Sequence, residues 1–319
     1  MPSYMTELAQ HIICPGQGAQ IIGMGRAWME TSPEAKAIFD RADHLLGDRF
    51  GAPLSQICIE GPADTINQTD VSQPAIYVCS VASWHGLNGG ASPVPASTAG
   101  LSLGEYTALH LAGVFSFEDG LQLVAQRGRL MQAAAEASDG SMLAVMGLDV
   151  AEAQTLCDDT LKTLGGGVLV PANLNAPGQI VLSGDTAACA KANERCGERG
   201  HRAMPLSVAG AFHSTHMQPA ADGLAETLAS VDMQSPACAV WSNVTAAAHD
   251  ADVDTIRRRL VEQLTSPVRW AEQCAAMVRA GHTDYTELAP GKVLWGLMRR
   301  INRDAKVTSH DEPDPSHAA

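Results

Sequence analysis

The chain has 319 residues, of which 45% are hydrophobic and 18% charged, a balance that supports a sizeable core and excludes a disordered coat. Its 21 basic and 35 acidic side chains give a formal charge of −14, which excludes a nucleic-acid coat and a general binder of anionic membranes. The charge is uneven, with −14 over residues 1–250, +3 over residues 251–306 and −3 over residues 307–319.

His11 to Cys14 reads as a short strand that ends at Pro15 and a glycine-rich turn. Ser32-Pro33-Glu34 opens a helix through Leu46, with serine at the cap and proline at the first helical position. Several short helical stretches are expected up to about Leu87, then a loop over 88–95 rich in Gly, Ser and Pro. Pro95 to Ala99 reads as a strand, and Gly100-Leu101-Ser102-Leu103-Gly104-Glu105 leads into a helix that ends near Ala112, with Gly113 as its stop. A further helix over 117–136 carries Leu121, Leu123, Val124, Arg127 and Met131. From Ser141 the pattern becomes strand 141–147, helix 150–160, strands 167–171 and 179–183, helix 185–198 and strand 203–207. That βαββαβ order is the ferredoxin-like split unit, inserted into a larger one. The larger unit resumes with a strand at 240–244, helices at 252–263 and 270–279, a strand at 284–287 and a helix at 291–301. The expected organisation is an α/β large subdomain over 1–138 and 207–303, a small subdomain over 139–206, and a flexible tail over 304–319.

No apolar run approaches the ~20 residues that span a bilayer, and Met1 to Gln10 lacks the basic-then-apolar order of a secretory signal. Eight scattered cysteines form no CxxC pair, a pattern of buried thiols in a reducing cytoplasm. His213-x-x-His216 lacks a nearby Cys or Glu, so no metal site is expected. Gly16-Gln17-Gly18 lacks the third glycine of a dinucleotide fingerprint, and Gly291-Lys292 is followed by Val293 where a P-loop needs Ser or Thr.

Gly100-Leu101-Ser102-Leu103-Gly104 fits G-x-S-x-G, in which a sharp strand-to-helix turn projects a serine beside the N–H groups of a new helix. A tight structural turn with an exposed serine is the plainer alternative. A serine nucleophile needs a base. Of eleven histidines, His213 and then His216 are the best placed, because both follow the small residues Ala209-Gly210-Ala211. Arg127 faces either inward, with Leu123, Val124 and Met131, or outward like Arg129.

Six segments occur in order: Pro15 to Gln20, Gly100 to Tyr106, Gln126-Arg127-Gly128, Asn173 to Gln179, Ala211 to Ser214 and Gln263 to Val268. Together they resemble the malonyl-CoA:acyl carrier protein transacylases and, more broadly, the acyltransferase domains of fatty-acid and polyketide synthases. The resemblance implies an α/β-hydrolase-like large subdomain with a short parallel sheet, an inserted ferredoxin-like small subdomain, and an acyl site between them. It implies Ser102 as nucleophile, His213 as base oriented by the backbone carbonyl of Gln263, and an oxyanion hole from the N–H groups of Gln17 and Leu103. It gives Arg127 the carboxylate of a malonyl group, which a guanidinium can hold through two parallel hydrogen bonds. Phe212 and Asn175 would line the acyl pocket, with Gln179 beside them; Phe212 is the form found in malonyl-selective members. Leu101 stands where many members carry His, and Ala289-Pro290-Gly291 where Gly-Pro-Gly is usual.

The implied reaction is ping-pong transfer of malonyl from malonyl-CoA to the phosphopantetheine thiol of acyl carrier protein in fatty-acid biosynthesis. It uses no cofactor beyond the coenzyme A thioester of the substrate. A free-standing acyltransferase serving a polyketide synthase, or an acyl-thioester hydrolase, are the alternatives. Carrier proteins are typically acidic, so Arg257, Arg258, Arg259, Lys292, Arg299 and Arg300 form an expected docking face.

Overall fold

The computed structural model describes residues 10–314. The segment inspected for a signal sequence therefore lies almost wholly outside the described residues, as do the last five residues of the expected tail.

The chain opens with β1 (His11–Cys14), α1 (Arg26–Thr31), α2 (Pro33–Leu46), α3 (Leu54–Glu60) and α4 (Ala63–Ile66). Ser32 caps α2 by accepting a hydrogen bond from the Ala35 N–H. Of the short helical stretches expected up to Leu87, α3 and α4 are short, with 7 and 4 residues, whereas α5 (Thr69–Leu87) runs unbroken for 19 residues. Its apolar residues lie on every side, from Val71 to Trp84, so the one-sided periodicity of a surface helix is missing. Pro74 sits near its start and reads as a break in sequence. Then come β2 (Ser97–Gly100), α6 (Gly104–Leu111) and α7 (Phe117–Glu136).

The middle segment holds β3 (Gly140–Met146), α8 (Val150–Leu164), β4 (Leu169–Ala176), β5 (Gln179–Asp185), α9 (Thr186–Glu198) and β6 (Arg202–Pro205). These strands form one antiparallel sheet in the order β4-β5-β3-β6, which is the ferredoxin-like arrangement. Strand alternation sends Leu143, Val145, Ile180 and Leu182 into a core shared with α8 and α9.

The last part contains α10 (Gln218–Ala229), β7 (Ala239–Trp241), α11 (Val253–Gln263), α12 (Trp270–Arg279), β8 (Asp284–Leu288), α13 (Val293–Ile301) and β9 (Lys306–His310). A second sheet, all parallel, runs β7-β2-β1-β8-β9. Residues 306–310, expected in a flexible tail, are its edge strand. They are held because β9 pairs with β8 over five residues, Asp311 accepts from the Gly291 N–H at 2.6 Å, and Trp28 donates to the carbonyls of His310 and Asp311. The helix α10 was not foreseen, although Pro219 beside a run of Ala and Leu is a helix-start signal. The small sheet is tied to the larger unit where Leu174 and Ala172 of β4 exchange hydrogen bonds with Val268, in the loop between α11 and α12. Among the described residues no helix is long and apolar enough to cross a membrane.

Candidate active site

Strand β2 is built from Ser97, Thr98, Ala99 and Gly100, all buried. Small side chains are required because α6 turns back tightly over the strand end. A Cβ on Gly100 would lie 1.8 Å from the Gly104 carbonyl carbon, and one on Gly104 would lie 2.1 Å from the Cys14 carbonyl oxygen. The turn places Ser102 at φ 52°, a left-handed conformation unusual for a residue with a side chain. Ser102 is 7% exposed, and its Oγ lies 2.9 Å from His213 Nε2.

His213 also has a positive φ, 58°, in the loop between β6 and α10. Its Nδ1 lies 2.8 Å from the Gln263 carbonyl oxygen at the end of α11. That oxygen can only accept, so Nδ1 carries the hydrogen and Nε2 presents its lone pair to the Ser102 hydroxyl. Burial pushes the His213 pKa down to about 4, the Arg127 charge adds to the effect, and the Gln263 carbonyl opposes it. The imidazole is therefore neutral at ordinary pH.

Arg127, the residue whose direction was open, faces inward from α7 and is 1% exposed. Its Nη2 donates to Ser102 Oγ at 3.1 Å and to Gln263 Oε1 at 3.0 Å, and its Nη1 donates to Gln73 Oε1 at 2.6 Å. The guanidinium lies over the Tyr106 ring at 5.1 Å. Among the described residues none of its hydrogen-bond partners is a carboxylate, and its Nε is buried without a partner. Burial lowers its pKa, partly offset by Tyr106 and Glu105.

The Ser102 N–H is bound to Asn243 Oδ1 at 2.6 Å and so cannot serve an oxyanion. The glycine-rich turn after β1 lies against the elbow, since a Cβ on Gly16 would meet the Leu101 carbonyl oxygen at 2.2 Å. Gln17 and Leu103 therefore flank Ser102 from two backbone segments.

A cavity of about 360 Å³ opens from Ser102 and His213. Phe212, Asn175 and Gln179 line it, as do Met131 of α7 and Val293 of α13. The second histidine candidate is excluded by its partner, for His216 Nε2 is bound to Asp185 Oδ1 at 2.7 Å. The six basic residues expected on one face divide between two helices. Arg257 donates to the carbonyls of Leu228 and Val231, Arg258 to Thr255, and Arg259 to Glu262, all on or beside α11. Lys292, Arg299 and Arg300 belong to α13 and its cap, on the helix that lines the cavity.

Residues 12–310 match the acyl transferase domain family. The chain belongs to that family. Among its relatives, a malonyl CoA-acyl carrier protein transacylase of Bacillus subtilis is 40% identical over 301 residues, covering 94% of this chain and 92% of the relative. The solved malonyl CoA-acyl carrier protein transacylase of Coxiella burnetii superposes with a TM-score of 0.90 at 33% identity, covering 97% of this chain and 96% of that one. A malonyl-transacylase solved in complex with its type II polyketide-synthase acyl-carrier protein superposes at 0.88 with 34% identity, covering 95% and 96%.

Four polar residues around the elbow of this acyl transferase were not foreseen as site residues: Gln73, Asn243, His249 and, though quoted in the elbow motif, Glu105. Asn243 follows β7 at the C-terminal edge of the parallel sheet, the place where open α/β sheets gather functional groups, and that position was the available signal.

Proposed function

We propose that this chain transfers malonyl from malonyl-CoA to the phosphopantetheine thiol of an acyl carrier protein, in fatty-acid synthesis and in the cytoplasm. The observation that carries the reading is Arg127, a buried cation with no carboxylate partner among the described residues, whose Nη2 lies 3.1 Å from Ser102 Oγ. An acyl group on Ser102 that ends in a carboxylate would complete the charge-assisted pair; an acetyl group would leave it unmatched.

In the first half-reaction Ser102 Oγ attacks the thioester carbonyl while its proton passes to His213 Nε2. The developing oxyanion is met by the N–H groups of Gln17 and Leu103. The C–S bond breaks, and His213 returns the proton to the coenzyme A thiolate, leaving malonyl-Ser102. In the second half-reaction His213 takes the proton of the phosphopantetheine thiol, the sulfur attacks the ester, and the proton returns to Ser102 Oγ. Coenzyme A enters and leaves as part of the substrate, and the chemistry calls for no resident cofactor. Phe212, Asn175 and Gln179 would shape the pocket. The cytoplasmic setting accords with eight unpaired thiols, seven of them buried.

The test is a labelling assay with radiolabelled malonyl-CoA and acetyl-CoA. Malonyl label is expected on Ser102 and then on added carrier protein. Absence of label in the wild type, or its persistence in Ser102→Ala, would sink the reading. Hydrolysis of the acyl-enzyme faster than transfer to carrier would favour a hydrolase instead.

A further inference from the structure

Arg127 is held from two sides by carboxamide oxygens, those of Gln73 at 2.6 Å and Gln263 at 3.0 Å. A carboxamide can be turned over, and a turned Gln263 would set its NH2 against the guanidinium, donor facing donor. The group that prevents this lies on the far side. Gln263 Nε2 donates to Glu105 Oε2 at 2.8 Å and to the Ser102 carbonyl at 3.1 Å. Glu105 is 1% exposed and well supplied with donors: the Asn243 N–H reaches Oε2 at 3.0 Å, and His249 Nε2 reaches Oε1 at 2.6 Å. A carboxylate offers acceptors only, so it admits Gln263 in one orientation. The main-chain oxygen of the same Gln263 holds His213.

We infer that the Gln263 side chain, oriented by Glu105, is a positioning residue that sets acyl selectivity. It aims Arg127 at the acyl group on Ser102 and stands between that guanidinium and the buried Glu105 carboxylate. A direct Arg127–Glu105 pair would neutralise the cation with a protein carboxylate and withdraw it from the substrate. An amide holds the geometry with a dipole and leaves the full charge for the acyl carboxylate. The inference rests on the malonyl reading above.

Gln263→Met tests it, because it keeps the main-chain carbonyl on His213 and nearly the same length but removes the side-chain hydrogen bonds. The measurement is kcat/KM for transfer to carrier protein from malonyl-CoA and from acetyl-CoA, on the full chain. The malonyl-to-acetyl ratio is expected to fall by about ten- to hundredfold, the factor carried by a hydrogen bond to a charged group. A ratio within about threefold of the wild type, from equal losses or none, overturns the inference. If that variant does not fold, Gln263→Glu is the second probe: it sets a carboxyl group beside Arg127, and an unchanged ratio again overturns it. Glu105→Gln should retain the ratio, since its amide can keep an oxygen toward Gln263 and give its NH2 to the other tautomer of His249. Glu105→Leu should lose it, and retention there overturns the role given to Glu105. A wild type that takes up no malonyl would count against the proposed function instead.

Discussion

The two sheets treat polar groups in opposite ways. Around the parallel sheet, Ser102, Glu105, Arg127, His213, Asn243, Gln263 and Gln273 are all buried, and they bond largely to one another. The core beneath the antiparallel sheet holds aliphatic side chains, three buried cysteines and alanines, and among the described residues of that segment no charged group is buried. The small sheet turns its other face to the cavity, where Met142, Asn173, Asn175 and Val181 form a wall. One sheet thus supplies chemistry that depends on directed hydrogen bonds, and the other a shaped surface that depends on packing. Substitutions should separate along that line.

The largest contrast is expected between Arg127→Ala and Leu182→Ala. Truncating one partner of a buried charge pair costs about 2–5 kcal/mol, so Arg127→Ala should lower malonyl kcat/KM by that much while acetyl transfer falls far less. Equal losses for both substrates would remove Arg127 from carboxylate recognition. Leu182 is fully buried among Leu143, Ile180 and their neighbours. Its replacement by Ala should cost about 2–5 kcal/mol of stability through lost contacts and a cavity. The malonyl-to-acetyl ratio should stay as in the wild type. A changed ratio in Leu182→Ala, read beside its denaturation midpoint, would show that the small sheet does more than form a wall.

The next effect is on pH dependence, and it belongs to the polar sheet alone. In the proposed role of base His213 works only when unprotonated, and burial with the Arg127 charge pushes its pKa down to about 4. The acid limb of Ser102 acylation should therefore lie near 4 and not near the ordinary imidazole value, since activity is lost only when falling pH protonates Nε2. Rapid-quench acylation across pH reads this directly. Arg127→Ala removes one of the depressing charges and should move the limb upward. A wild-type limb near the ordinary value would mean that water reaches His213 in the working enzyme.

The same division explains what the sequence disclosed. The small sheet was legible almost strand by strand, because Leu143, Val145, Ile180 and Leu182 alternate with residues of the opposite face. The elbow at Ser102 was legible because close backbone approach demands Gly100 and Gly104. What escaped was long-range or non-periodic. Glu105, Asn243 and Gln263 lie far apart in the chain and meet only in the folded site, so no local pattern marks their partnership. Buried on all sides, α5 shows no helical stripe, and β9 needs its partner β8 to be a strand at all.

The smallest expected effect concerns docking of the carrier, where charge acts at the surface. Of the six cations considered, Arg257 is committed to the carbonyls of Leu228 and Val231, and Arg259 to Glu262. Arg299 and Arg300 are exposed on α13, with Arg299 stacked on Trp295 at 4.7 Å, and Val293 and Leu297 of the same helix line the cavity. An acidic carrier that threads its thiol into that cavity would pass this helix, and exposed charges each contribute about 1 kcal/mol or less. Reversing both, as Arg299→Glu with Arg300→Glu, should raise KM for carrier protein up to about tenfold and weaken its salt dependence, with little change in malonyl uptake from coenzyme A. The matched control is Arg258→Glu with Arg259→Glu on α11. An equal rise in KM from the control would place the carrier across both helices, and no rise from either pair would move it to another face.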